Sequence, residues 1–359
     1  MSEGQIPSAG RWMIYGASGY TGQLIAEEAV RRGHRPLLAG RSQARLEQIA
    51  RRLGLDWTVV DLNDERELMR AVADVDLVFH AAGPFIRTSA PMIRACLAGR
   101  THYVDITGEL AVFQHTFAQD AAAQEQGVAL LSGAGFDVVP TDCLALHLVE
   151  RQPDALTLSI AIAALAQASA GTTQTMLEML PDGGRVRRNG ALVAYPLGQG
   201  ARRVRFSDRE RLVVPAPWGD LETAYHSTGI PNITTYLALT PGTIRLMPWG
   251  APLLQRLLAV QWLRRRIQQL VARRVQGPDE TRRQNDRAYL WAQVTNARGE
   301  VVQAWQETAE PYQFTMLAGV RCVEHLLAGE FRGALTPASA FGADFVLETP
   351  GARRLDALP

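Results

Sequence analysis

Lysine is absent from this chain: all 37 basic residues among its 359 are arginine. Usage this skewed fits genomic base composition, but its chemical consequence is firm. A Schiff-base lysine, the lysine of a P-loop and the Tyr-x-x-x-Lys pair of short-chain reductases are all excluded. Cysteine is scarce, with Cys96, Cys143 and Cys322 forming no CxxC pair, so a disulfide framework is not expected. The seven histidines are scattered without paired ligand spacing, and no metal site is expected. No GxSxG elbow occurs, which argues against an α/β-type serine hydrolase. Net charge is only +1, too little for a field that would gather nucleic acid. The opening stretch, Met1 to Gly10, is polar and lacks the apolar run of a secretory signal, so cytoplasmic residence is the expectation.

What is present is ordinary globular material, 47% hydrophobic and 20% charged, of a length that suggests two domains. From Arg11 to about Glu150, short apolar runs (12–16, 36–40, 57–61, 76–82, 102–106 and 128–133) alternate with helical stretches (22–32, 44–53, 65–73, 90–98 and 110–126). Runs that are apolar almost throughout fit parallel strands covered on both faces, and the alternation predicts a doubly wound Rossmann-type sheet. After residue 151 the texture changes. A strand is predicted at 156–165, a helix at 172–180, short strands at 192–195 and 212–214, and an antiparallel hairpin from 289–296 and 300–308. A closing helix is expected at 316–327. The expected architecture is α/β, with an inserted α+β domain carrying a mainly antiparallel sheet. Residues 1–150, completed by 316–359, form the nucleotide domain, and 151–315 a substrate or dimerisation domain. Residues 252–275 combine leucines, Trp262 and arginines. They are too interrupted to span a bilayer and are read as an amphipathic helix covering the sheet or a dimer partner, with the membrane interface as the alternative.

The chemistry is carried by Gly16-Ala-Ser-Gly-Tyr-Thr-Gly22, set between a strand and a helix. Gly16 permits the tight turn, Gly19 lets a pyrophosphate approach the backbone, and Gly22 lets the helix pack on the strand. Ser18, Tyr20 and Thr21 complete the loop, whose helix N-terminus favours phosphate. Arg41 follows the second strand where an NAD enzyme usually places an acid. Its guanidinium can fork onto a 2′-phosphate, with Ser42 adding a hydroxyl and Arg45 a further charge, so NADP is the expected cofactor. Later strand ends should line the same crevice, with Asp61 meeting the adenine and Ala82, Gly83, Pro84 and Phe85 the nicotinamide ribose and ring. Candidate proton donors are Tyr103, Asp105, Glu109 and Asp137, of which Asp105 and Glu109 are preferred; a water is the alternative.

These residues, GASGYTG, LAGRS, AAGPF, YVDITGE, GAGFDVVPTD and a late LTPASAFG, resemble the saccharopine dehydrogenase-like NADP-binding family. The branch they most resemble includes the mycobacterial trans-acting enoyl reductase and saccharopine dehydrogenase-like oxidoreductases. The resemblance covers most of residues 11–150 and thins to scattered matches beyond. It implies a Rossmann domain completed by the C-terminal segment, an NADP(H)-dependent oxidoreductase, and a small-molecule or carrier-bound acyl substrate. An apolar, arginine-rich stretch over 243–275 would suit a lipid-like substrate or peripheral membrane contact, and a homodimer is compatible with the same surface. The rival reading is a non-catalytic NADP-binding sensor whose second domain binds a protein partner.

Overall fold

The structure, a computed structural model, describes residues 10–164, 183–260 and 277–358, with positions 173, 177, 262, 264, 266 and 267 between them. The helix expected at 172–180 and most of the stretch after residue 260 lie outside the described residues. The chain divides into two compact units. The first comprises residues 1–107, 114–135 and 315–335; the second comprises 108–113, 136–314 and 336–359.

The first unit is built on β1 (Trp12–Tyr15), β2 (Leu37–Gly40), β3 (Trp57–Val59), β4 (Leu77–His80), β5 (His102–Asp105) and β6 (Ala129–Leu131), closed by the strand Gly333–Leu335. All seven are parallel, and the order across the sheet is Gly333–Leu335, β6, β5, β4, β1, β2, β3. Between them run α1 (Tyr20–Arg31), α2 (Gln43–Leu53), α3 (Glu65–Ala73), α4 (Phe85–Gly99), α5 (Leu110–Phe117) and α6 (Asp120–Gln126). The central strands β1 and β4 are buried along their whole length, as helices on both faces require. Residues 315–335 are tied in by charge. Glu324 pairs with Arg32 at 3.0 Å, and Arg32 in turn pairs at 2.6 Å with the buried Glu28.

The second unit holds α7 (Val139–Arg151) and a large mixed sheet. Its strands include β7 (Ala155–Ala164), β8 (Gly184–Arg188), β9 (Ala191–Tyr195), β10 (Arg202–Arg205), β11 (Glu210–Pro215), β12 (Asn232–Ala238), β13 (Arg287–Asn296) and β14 (Val301–Ala309). The order β10, β11, β12, β7, β13, β14 and then Arg353–Leu355 is antiparallel except where β12 meets β7. Alternation decides its faces. Leu158, Ile160, Ile162, Leu290, Ala292 and Val294 share the side taken by α7, while Ala161, Ala163, Val213, Trp291 and Trp305 gather on the other with Val204 and Phe206.

Two expected boundaries are corrected. Residues 136–150 and 336–359 belong to the second unit, not the nucleotide domain. The reasons are long-range: α7 packs on β13 and β14, and Arg353–Leu355 pairs antiparallel with β14. Locally, α4 begins at Phe85 and carries Pro91 inside it, and the single helix expected over 110–126 is two, α5 and α6.

Candidate functional site

Chain reversal after β1 places Gly16 at φ +89, in the left-handed region that favours glycine. A Cβ there would lie 2.8 Å from the backbone of Ala81 and Ala82. At Gly22 a Cβ would stand 2.3 Å from the carbonyl oxygen of Gly16. The protein itself therefore requires both glycines. Gly19 differs. It is exposed, its nearest neighbour for a Cβ is the Gly16 oxygen at 3.3 Å, and its open side is a cradle that a methyl group would fill. Gly19 is also the N-cap of α1 and offers no side-chain acceptor. The first amide of this turn to find an intrahelical acceptor is that of Gln23, which donates to Gly19 at 3.0 Å. Those of Thr21 and Gly22 meet no acceptor among the described residues. Aligned amides and the helix dipole make such an end attractive to an anion. Gln23 Nε2 donates to the Ser18 carbonyl at 3.2 Å and holds the loop in place.

The loops after β4, β1, β2 and β3 are neighbours in that order, and the chain changes direction across the sheet between β4 and β1. That point is where open α/β sheets bind ligands, outside the carboxyl ends of the strands. Arg41 stands exposed one residue past β2, with no ion pair or hydrogen bond among the described residues. Ser42 is the N-cap of α2, yet its hydroxyl makes no capping bond. Asp61 is exposed beyond β3 and folds into its own turn, accepting from the backbone and side-chain nitrogens of Asn63 at 2.9 Å each. Arg41 and Asp61 both act on the Tyr15 phenol. Burial pushes that group up to about 12, Arg41 pulls it down and Asp61 pushes it further up. The two residues therefore share one end of the sheet. Beyond β4, Ala82 accepts from Thr88 Oγ1 at 2.7 Å, Gly83 is exposed before the cis bond to Pro84, and Phe85 opens α4, largely buried.

The carboxylates fall out differently from expectation. Asp105 is completely buried and accepts four hydrogen bonds: Tyr103 Oη at 2.8 Å, and Ser132 Oγ, Thr107 N and Gly133 N at 3.0 Å. Burial raises its pKa while those donors lower it. Its geometry is that of a tie between the ends of β5 and β6, not of a proton donor at an open crevice. The aspartate was visible at a strand end; the ring of donors that closes over it was not. Glu109 is also buried, at 3% exposure, and Tyr103 completely so. Asp137 is the contrast. It is half-buried, no donor among the described residues meets its carboxylate, and burial alone pushes it to about 6. Gly108 leaves it room, since a Cβ there would stand 3.1 Å from Asp137 Oδ2, and Trp218 Nε1 donates to its main-chain carbonyl at 2.8 Å.

Sequence reasoning passed over two buried groups. His80, at the end of β4, is completely enclosed and pulled to about 4 by burial, so it is neutral. Asp220, also fully buried, is raised well above the carboxylate range, chiefly by burial, with the Thr141 hydroxyl pulling the other way. Nothing in the surrounding Trp-Gly-Asp-Leu signals it. Among the described residues no group of three or more His, Cys, Asp or Glu could hold a metal ion, and no helix is long and apolar enough to cross a membrane.

Comparison with known proteins gives this geometry a relative. Residues 12–131 match the family described as the saccharopine dehydrogenase NADP binding domain. The chain is 32% identical over 147 residues to a trans-acting enoyl reductase of Mycobacterium tuberculosis, a match covering 39% of this chain and 35% of that one. A putative trans-acting enoyl reductase of the same organism is 31% identical over 182 residues, covering 47% and 43%. The chain thus spans between about a third and a half of the length of the curated relatives it matches. Among solved structures, apo saccharopine dehydrogenase (L-Glu forming) from Saccharomyces cerevisiae aligns over 97% of this chain and all of that one, with TM-score 0.66 at 13% identity. That likeness extends the shared fold to the second unit. The segment Trp12–Leu131 is thus similar to the saccharopine dehydrogenase NADP binding domain, and NADP is the cofactor that this match supports.

Proposed function

We propose that the chain is an NADP(H)-dependent oxidoreductase that moves a hydride between the nicotinamide and a reducible acyl substrate of the enoyl class. The observation that carries this reading is the loop from Gly16 to Gly22, whose one outward glycine opens beside an unpaired Arg41. In this reading the amides of Ser18, Thr21 and Gly22 hold the pyrophosphate, and Arg41 with Ser42 holds the 2′-phosphate. Asp61 lies toward the adenine, and Ala82, Gly83, Pro84 and Phe85 toward the nicotinamide ribose. The cofactor supplies hydride chemistry, and the protein supplies orientation, exclusion of water and a proton. Of the donors considered, Asp137 combines partial exposure with a carboxyl near neutrality, which suits a general acid better than the enclosed Asp105 or Glu109. The relatives named enoyl reductase supply the substrate class.

The test is direct. Purified protein is screened with NADPH against enoyl thioesters, enones and imines, with absorbance followed at the nicotinamide band. Consumption with enoyl thioesters alone supports the reading. Tight NADPH binding with no consumption against any of them refutes it in favour of a sensor. The helix Pro241–Ala259 leaves Leu246 and Leu257 exposed, at 70% and 45%, and Trp262, three residues beyond it, is exposed at 68%, which favours a lipid-like substrate or peripheral contact with a membrane. Flotation with anionic liposomes tests that part, and a protein that stays wholly in the aqueous fraction rejects it.

A further inference from the structure

The strand β10 breaks the rule that its own face obeys. Alternation turns Arg202, Val204 and Phe206 to the same side of the sheet, where Val204 and Phe206 join an apolar cluster with Trp291 and Trp305. An arginine in line with that cluster needs a reason. The sheet rolls far enough to bring β10 against β13 and β14, several strands away, and Trp305 Nε1 donates to the Arg205 carbonyl at 2.7 Å. Between them lies a cavity of about 540 Å³ whose lining includes Arg202, Arg205, Trp291, Trp305, Asp356 and Leu358. That volume falls within the range of small-molecule pockets, about 300–1,000 Å³. Every lining residue belongs to the second unit.

The Arg202 guanidinium lies over the rings of Tyr236, at 4.6 Å, and Trp291, at 4.9 Å. Stacking offsets part of the cost of enclosing a cation but leaves the in-plane N–H groups without a partner. Two of them, on Nε and Nη2, are buried and meet no acceptor. These nitrogens share one edge of the guanidinium, the fork whose parallel N–H bonds match the two oxygens of a carboxylate. The nearby acids are engaged elsewhere. Glu210 pairs with Arg203 at 2.9 Å, and Asp356 is held at 2.7 Å by both His147 and Arg151. Arg205 brings a second guanidinium that has no ion pair among the described residues. The Trp291 indole is already satisfied by Gln303 Oε1 at 3.2 Å, so the aromatic walls present their faces and not their donors.

We propose that this cavity is a binding site for a small organic carboxylate with an apolar body, its carboxylate on the Nε and Nη2 edge of Arg202 and its body against Trp291, Trp305 and Leu358. The fork matches the two oxygens of a carboxylate, and the aromatic walls suit an apolar body that inorganic phosphate lacks. Because the fork is covered by the lining, entry turns aside a lining group, and Ala357 and Leu358, which follow the last strand and belong to no element, are the natural ones to yield. The site stands on residues of the second unit and does not rest on the cofactor reading.

Isothermal titration of the cofactor-free full chain decides it, with octanoate and 3-phenylpropanoate as probes against octanol, 3-phenylpropanol and inorganic phosphate. The expected result is saturable binding of both carboxylates, at least about ten-fold tighter than the matching alcohols, with no saturation by phosphate. Arg202→Met should weaken carboxylate binding by about ten- to a hundred-fold and leave the alcohols unchanged, while Arg202→Lys, which keeps the charge and loses the fork, should fall between. Alcohols binding as tightly as the carboxylates, phosphate binding as tightly, or no saturation by either carboxylate would each overturn the proposal. These comparisons are made on the unaltered protein, so they stand even if the variants do not fold.

Discussion

Replacing Gly19 and Gly22 separately by alanine should damage different properties, although the two glycines lie three residues apart in one loop. Gly19 has φ −79 and ψ 163, a conformation alanine adopts without strain, and its new methyl would meet only the Gly16 oxygen, at 3.3 Å. Two effects on stability then oppose each other. Alanine is a poorer N-cap than glycine, which costs up to about 1 kcal/mol, and it restricts the unfolded chain, which returns about 0.4–1 kcal/mol. The melting temperature of Gly19→Ala should therefore stay within about 4 °C of the parent. Cofactor binding should not survive so well. The methyl fills the surface on which a pyrophosphate would rest, and the loss of one charge-assisted amide bond, about 1.5–3 kcal/mol, weakens NADPH roughly ten- to a hundred-fold.

Gly22→Ala runs the other way. Inside a helix this exchange normally stabilises by up to about 1 kcal/mol. Here the added Cβ would lie 2.3 Å from the Gly16 oxygen and 2.9 Å from Ala17 Cα, both backbone atoms that cannot rotate aside. Forcing α1 away from β1 costs on the order of 1–3 kcal/mol, so the variant should melt clearly below the parent. Thermal unfolding of the cofactor-free proteins, paired with calorimetric titration of NADPH, reads both quantities. If Gly19→Ala binds NADPH like the parent, or Gly22→Ala melts like it, the division of labour argued from the backbone is wrong.

Arg41→Ala should weaken NADPH by at least about ten-fold, or about 1.4 kcal/mol, and barely change NADH; parallel titrations check it, and an equal loss for both would remove the 2′-phosphate assignment. If Asp137 donates the proton, reduction requires its acid form, so the rate with enoyl substrate should fall as pH rises through about 6. Asp137→Asn should cut that rate by about a hundred-fold or more and abolish this limb of the pH profile; a variant with parental rate and profile would exclude the role. Asp220→Asn should stabilise the protein at alkaline pH. Because folding raises the pKa of this carboxyl, its stability is fully present below the unfolded value of about 3.9 and is lost as pH climbs toward the raised folded one. The variant, which cannot ionise, should therefore gain on the parent in thermal melts as pH increases from 5 to 9, and a constant difference across that range would show that Asp220 does not titrate.

The first unit was legible because its signals are local. Strands covered on both faces read as unbroken apolar runs, and Gly16 and Gly22 punctuate the turn where the backbone demands it, with Gly19 leaving its outer side open. Where reading failed there, it was at a boundary: the helix expected over 90–98 opens earlier, on Phe85, and carries Pro91 inside it. The second unit is written in contacts that no window of sequence contains. Asp142 looks like any acid early in a helix, but it accepts from Ser227 Oγ at 2.6 Å and from Ala338 N at 2.9 Å. The bond from Ala338, with the pairing of Arg353 to Glu307 at 2.9 Å, fastens residues 336–359 to the second unit and displaces the boundary expected from alternation alone. The same distinction separates Asp105 from Asp137. Both follow an apolar strand, and spacing treats them alike. Ser132 and Gly133 close over Asp105, while Gly108, having no side chain, leaves Asp137 room. Half of what makes Asp105 a tie, and the room left to Asp137, is thus carried by residues more than twenty positions away, and a substitution at Gly108 should perturb Asp137 more than one beside it in the chain.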